Sequence, residues 1–137
     1  MEIGQTSIFY IDDQRSALRL MQEYLSDVGI DVQVFTTMDE ANRAIALSDT
    51  PEVVVLIDLK LSTSSGIDTI RQAAELWPHL PIIAVTGELH FEQRWREFLH
   101  AGADSWLSKE GLTGSIVRER VASVLGRRWM RPGGAHA

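Results

Sequence analysis

The sequence predicts an α/β fold built on a doubly wound, five-stranded parallel sheet within one domain. Short apolar runs alternate five times with segments whose apolar residues recur at helical spacing. The run "VVVLI", residues 53–57, is apolar throughout, as a strand covered on both faces must be. Even strand–helix spacing implies right-handed crossovers, with helices on both faces of a single (βα)5 sheet. At 137 residues the chain is long enough to bury a core of that size.

The first strand is expected over Ser7–Ile11. The helix after it carries Ala17, Leu18, Met21, Tyr24, Leu25 and Val28 on one face and closes at Gly29, which suits a left-handed cap. "DVQVF" alternates around Val32 and Val34 as a second strand. Thr37 and Glu40 then stand at capping-box spacing ahead of a helix with Ala41, Ala44 and Ile45. After the central strand, Ile67, Ile70, Ala74 and Trp77 form a third helix that Pro78 stops. "PIIAVT" reads as the fourth strand. Leu89, Trp95, Phe98 and Leu99 are expected on a fourth helix ended by Gly102. "SWLS" is a short fifth strand, and Leu112, Ile116, Val117, Val121, Val124 and Leu125 define the last helix. "GRRWMRPGGAHA" reads as a frayed tail or the stump of a linker.

Composition narrows the function. Hydrophobic content of 45% and charged content of 23% suit a soluble globular domain rather than a disordered or membrane-spanning chain. A net charge of −6 argues against nucleic acid as a direct partner. No cysteine is present, which excludes thiol chemistry and disulfides and fits a reducing, cytoplasmic setting. The start "MEIGQTS" lacks the basic and apolar segments of a signal peptide, and no apolar run reaches membrane-spanning length.

The chemistry gathers at the strand ends. In open parallel sheets, ligands bind beyond the carboxyl ends of the strands at the switch point. Strand one ends on Asp12 and Asp13, strand three on Asp58 and strand four on Thr86, while strand five leads to Lys109. Each residue alone has a plain structural reading as a turn former, a strand hydroxyl or a surface lysine. Their joint arrival at four strand ends outweighs those readings. Two adjacent carboxylates in a partly desolvated place require a cation or a hydrogen-bond network. Hard oxygen ligands suit Mg²⁺, which keeps several waters and is commonly completed by a phosphate. His79, His90, His100 and His136 lack ligand spacing, which disfavours a transition metal. The arrangement points to a phosphoryl group arriving at Asp58, with Lys109 and the Thr86 hydroxyl holding its oxygens.

With the acidic pair, the loop "DLKLSTSSG", the threonine of "AVTG" and the lysine of "AGADSWLSK", the sequence resembles the receiver domain of two-component response regulators. The resemblance covers residues 5–126, which places the receiver domain at 1–126 and leaves 127–137 as a C-terminal tail or linker stump. It implies the flavodoxin-like strand order 2-1-3-4-5, the order also found in chemotaxis regulators of this family. It implies that Asp58 is the phosphoacceptor, receiving its phosphoryl group from a sensor histidine kinase, a phosphotransfer protein or a small phosphodonor. It also implies that Asp13 binds Mg²⁺ directly, Asp12 mostly through water, and that Asp58 and the backbone carbonyl of Lys60 complete the site. It further implies that Thr86 and Lys109 read the phosphorylated state and that Trp106 stands at the aromatic switch position. Such a domain transfers the phosphoryl group to itself and loses it slowly; it is not an enzyme in the usual sense.

Four positions depart from the family pattern: Ser62 and Glu110 replace prolines, Trp106 is larger than the customary aromatic, and Lys60 places a cation beside the site. Without proline, the 109–110 peptide is expected to be trans, with a shifted final loop. A dehalogenase-like phosphohydrolase would need a carboxylate at position 60, and a flavodoxin would need its phosphate loop after strand one. A receiver-like scaffold that works without phosphorylation remains the alternative. Lys60 and Glu88, each two residues beyond a site residue, are expected to pair across the mouth and slow the water that attacks the acyl phosphate. His90, Arg94, Arg96, Arg118 and Arg120 form either a basic partner-facing surface on helices four and five or an ordinary solvated face. A downstream protein is expected on the helix 4–strand 5–helix 5 face, which is also where a homodimer could form.

Overall fold

The computed structural model describes residues 6–50, 52–61 and 65–130, with side chains as far as Arg127. Ser62, the side chain of Trp129 and the end of the expected tail, 131–137, lie outside the described residues. The five strands are β1 (Thr6–Ile11), β2 (Val32–Phe35), β3 (Glu52–Asp58), β4 (Ile82–Thr86) and β5 (Ser105–Ser108). All neighbouring strands pair in parallel, in the order β2-β1-β3-β4-β5. The helices are α1 (Arg15–Ser26), α2 (Met38–Ala46), α3 (Gly66–Leu76), α4 (Trp95–Ala101) and α5 (Gly114–Met130). The last helix therefore runs past the end expected for it near residue 126.

Side-chain alternation along the strands sorts the core into two layers. Ile8, Tyr10, Val54, Leu56, Ile83 and Val85 pack with Leu18, Met21 and Leu25 of α1 and Val117, Val121 and Val124 of α5. Phe9, Ile11, Val55, Ile57 and Ala84 pack on the opposite face with Ala41 of α2, Ile70 and Ala73 of α3, and Phe98 of α4. Every residue from Val53 to Asp58 is buried, so β3 is the centre of the molecule. The apolar run identified in the sequence reflects that position.

Local signals act much as their chemistry requires. The Thr37 hydroxyl accepts the Glu40 N–H, while the Glu40 carboxylate accepts the Thr36 and Thr37 hydroxyls, so only half of the capping box forms. Gly29 is left-handed at φ 74°, which lets the Ile30 N–H return to the Leu25 carbonyl at 2.8 Å. Trp77 follows α3 and is buried, its indole N–H donating to Asn42 Oδ1 at 2.9 Å. The peptide bond after Lys109 is trans.

The fourth helix differs from expectation. It starts at Trp95, preceded by a 3₁₀ turn over Phe91–Gln93 that His90 enters with a left-handed φ of 59°. That turn breaks the helical phase, so Leu89 and Leu99 point outward at 71% and 48% exposure, and Phe91 enters the core instead. Ile116 likewise lies on the exposed side of α5, and Leu112 precedes the helix.

Candidate functional site

Because the strands are parallel, their carboxyl ends meet at one edge of the sheet. Asp12 follows β1 and is fully buried, and Asp58 closes β3 at 3% exposure. Thr86 ends β4, and its carbonyl accepts the Lys109 N–H at 2.8 Å. That bond carries the chain from β5 back over the site and aims the lysine inward. Carboxylate oxygens of Asp12, Asp13 and Asp58 lie within 4.8 Å of one another, with Asp13 on the exposed side. Lys109 Nζ bridges the two buried carboxylates, 3.0 Å from Asp58 Oδ1 and 3.1 Å from Asp12 Oδ2.

Backbone and side-chain donors complete the cluster. Asp58 Oδ2 accepts the Lys60 N–H at 3.2 Å, which folds the loop after β3 back onto the carboxylate. Asp12 Oδ1 accepts the Gln14 N–H at 2.9 Å, and Asp12 Oδ2 accepts the Tyr10 hydroxyl at 2.6 Å. Thr86 Oγ1 accepts the Glu88 N–H at 3.0 Å. Burial pushes Asp58 above the ordinary carboxylate range, although contact with Lys109 opposes the shift. Burial acts to lower Lys109, but its bonds to Asp58 and Asp12 prevail and raise it overall. Burial, then the bond to Asp12, raises Tyr10 and keeps its phenol neutral. Three carboxylates against one ammonium leave the cluster net negative. Such an all-oxygen donor set fits Mg²⁺.

The sequence-predicted residues Asp12, Asp13, Asp58, Thr86 and Lys109 thus converge. The expected Lys60–Glu88 pair is not formed. Glu88 instead takes Arg94 Nη1 on both carboxylate oxygens, at 2.9 and 3.1 Å, and the Lys60 side chain is exposed. The 3₁₀ turn after His90 brings Arg94 back beside Glu88, and the guanidinium also lies 5.3 Å over the Phe98 ring. Leu59, Lys60, Thr86, Glu88, Arg94 and Phe98 line an open cavity of about 410 Å³.

The expected basic surface is also reduced. Arg94 is neutralised by Glu88 and lies near Glu97, and Arg120 turns back onto β5, donating to the Trp106 carbonyl and to Ser105 Oγ. Arg96 and Arg118 remain exposed. Trp106 is half-buried, with its ring 5.0 Å from Phe91, which is itself 4.7 Å from Phe98. Tyr10 escaped the sequence reading. Its signal was available, since a phenol two residues before Asp12 on a strand lies on the same face as that carboxylate.

A doubly wound parallel sheet with order 2-1-3-4-5, carrying a buried acidic pocket and a lysine at its carboxyl edge, is a flavodoxin-like architecture. The sequence profile of the response regulator receiver domain matches residues 8–119, and the chain belongs to that family. It is 30% identical over 118 residues to the transcriptional regulatory protein KdpE of Mycobacterium tuberculosis, covering 85% of this chain and 50% of that protein. It is 33% identical over 102 residues to the response regulator MprA of Mycolicibacterium vanbaalenii, covering 74% and 43%. The chain thus spans half or less of these relatives. Among solved structures, it resembles a receiver domain protein of Clostridium thermocellum with a TM-score of 0.73, at 23% identity, covering 91% of this chain and 98% of that one. A CheY-like receiver of Methanospirillum hungatei gives 0.69 at 25% identity, covering 89% and 94%. No helix among the described residues is long and apolar enough to cross a membrane.

Proposed function

We propose that this chain is a phosphorylation-driven receiver that accepts a phosphoryl group on Asp58 from a sensor histidine kinase or phosphotransfer protein. The observation that carries the reading is Lys109 Nζ, held between the buried carboxylates of Asp58 and Asp12 at 3.0 and 3.1 Å. An Asp58 oxygen attacks phosphorus while the donor's own atom leaves with the bonding electrons, so Asp58 must be ionised although burial raises it. Lys109 supports that ionisation, and the Lys60 N–H orients the second oxygen. Asp12, Asp13, Asp58 and the Lys60 carbonyl would hold Mg²⁺, which when bound offsets the charge of the incoming phosphoryl oxygens. Lys109 and the Thr86 hydroxyl would then hold those oxygens.

The reading extends to output. Movement of Thr86 would pass to the Phe91–Trp106 stack and so to the α4–β5–α5 face, where a downstream protein or a second copy docks. Lys60 and the Glu88–Arg94 pair line the cavity that Leu59 and Thr86 also border, and would slow the water that removes the phosphoryl group. A cytoplasmic location fits such a partner set. Relatives such as KdpE are transcriptional regulatory proteins of about twice this span, so any effect on transcription would come from a further domain or from a partner. Exposure to acetyl phosphate and Mg²⁺, followed by intact mass, should add one phosphoryl group to the wild type and none to Asp58→Asn. An unmodified wild type would favour a scaffold that works without phosphorylation.

A further inference from the structure

Asp12 already has three hydrogen-bond partners from the protein. Its Oδ1 accepts the Gln14 N–H at 2.9 Å. Its Oδ2 accepts both the Lys109 ammonium at 3.1 Å and the Tyr10 hydroxyl at 2.6 Å. Tyr10 is 1% exposed, its ring fixed in the layer between the sheet and helices α1 and α5. The hydroxyl is therefore shut away from bulk solvent, and a buried phenol that loses its acceptor is costly. Asp13, by contrast, stands on the exposed side of the cluster. From this geometry we infer that Tyr10 is a positioning residue that holds Asp12 turned into the protein and weakens the pocket's grip on Mg²⁺. The inference rests on the metal site proposed above.

The physical reason is competition for one oxygen. A cation drawing on Asp12 Oδ2 must share it with a phenol and an ammonium, or displace one of them. A carboxylate has about four lone-pair positions, and three donors leave little capacity for a fourth partner. Loss of the phenol frees one position without changing the charge of the cluster.

Calorimetric titration of Mg²⁺ into the full chain tests this. Tyr10→Phe keeps the ring and removes the hydroxyl, and should tighten Mg²⁺ binding about tenfold relative to the wild type. In an Asp12→Asn background the same change should alter the affinity by less than about twofold, because the two residues act as a unit. A purely structural role would lower the melting temperature without this coupling. As a measurement that does not depend on the variant folding, the buried Tyr10 hydroxyl proton of the wild type should shift in proton NMR as Mg²⁺ saturates the site. Equal or weaker Mg²⁺ binding by Tyr10→Phe, or a hydroxyl resonance unmoved by saturating Mg²⁺, overturns the inference and leaves the metal site standing. A wild type that binds no Mg²⁺ overturns the metal reading and this inference together.

Discussion

Replacing Lys109 with methionine removes a charge and keeps an unbranched apolar stem. In the wild type the ammonium touches both buried carboxylates, at 3.0 and 3.1 Å. Without it, acidic groups with oxygens no more than 4.8 Å apart face one another uncompensated. At an effective dielectric near 20, two unit charges at that separation repel by about 3.5 kcal/mol. The lysine side chain is 33% exposed, so solvent screens part of its present effect. Asp58, already raised by burial, also relieves repulsion by taking up a proton. Together these reduce the expected loss of stability to about 2–3 kcal/mol. Urea unfolding in chelator at neutral pH should reveal that loss. It should shrink as the pH falls, because a carboxyl raised in the folded state gains its proton before the unfolded chain does. Added Mg²⁺ supplies the missing positive charge and should bring the variant to within about 1 kcal/mol of the wild type. A loss of the same size with and without Mg²⁺ would refute the electrostatic account, as would a variant as stable as the wild type in chelator.

Gly102 has a φ of 123°, and an added Cβ would lie 2.6 Å from the Cβ of Ala74. Gly102→Ala should therefore cost about 2–3 kcal/mol, read as a lower melting temperature, and an unchanged melt would deny the close approach of α3 and α4. Lys109 and Tyr10 both hold their protons above their ordinary values. That contribution is complete below about pH 10 and is lost as the pH rises through the folded-state values, so metal-free stability should fall there, less steeply in Lys109→Met. Because Glu88 pairs with Arg94 rather than Lys60, Lys60→Ala and Glu88→Ala should each shorten the acyl-phosphate lifetime and combine additively. Strong non-additivity in the decay of phosphorylated protein would restore a Lys60–Glu88 gate.

Much of the site is legible in the sequence, for a specific reason. Parallel strands force every carboxyl end to one edge, so a residue type read at the end of an apolar run is already placed in space. Asp12, Asp58 and Thr86 were found that way, and Lys109 followed from the strand before it. The continuous run Val53–Ile57 marked the centre of the sheet because only a strand covered on both faces tolerates it. The 3.6-residue period placed the face of α1 well, through Leu18, Met21 and Leu25, whereas in α3 the buried residues are Thr69, Ile70 and Ala73, with only Ile70 among those expected inside the helix.

The β4–α4 region was less legible because one backbone angle governs it. His90 adopts a left-handed φ, a choice that neither apolar spacing nor charge announces. That turn shifts the helical phase, exposes Leu89, buries Phe91 and returns Arg94 to Glu88. Tyr10 was hidden differently, since a phenol in an apolar strand reads as core until its hydroxyl needs a partner. The alternation of elements and the residue types at the strand ends can be read from the chain alone, because period is a local property of it. Which donor meets which carboxylate follows from the fold, because hydrogen bonds between segments far apart in sequence depend on the paths of the loops that join them.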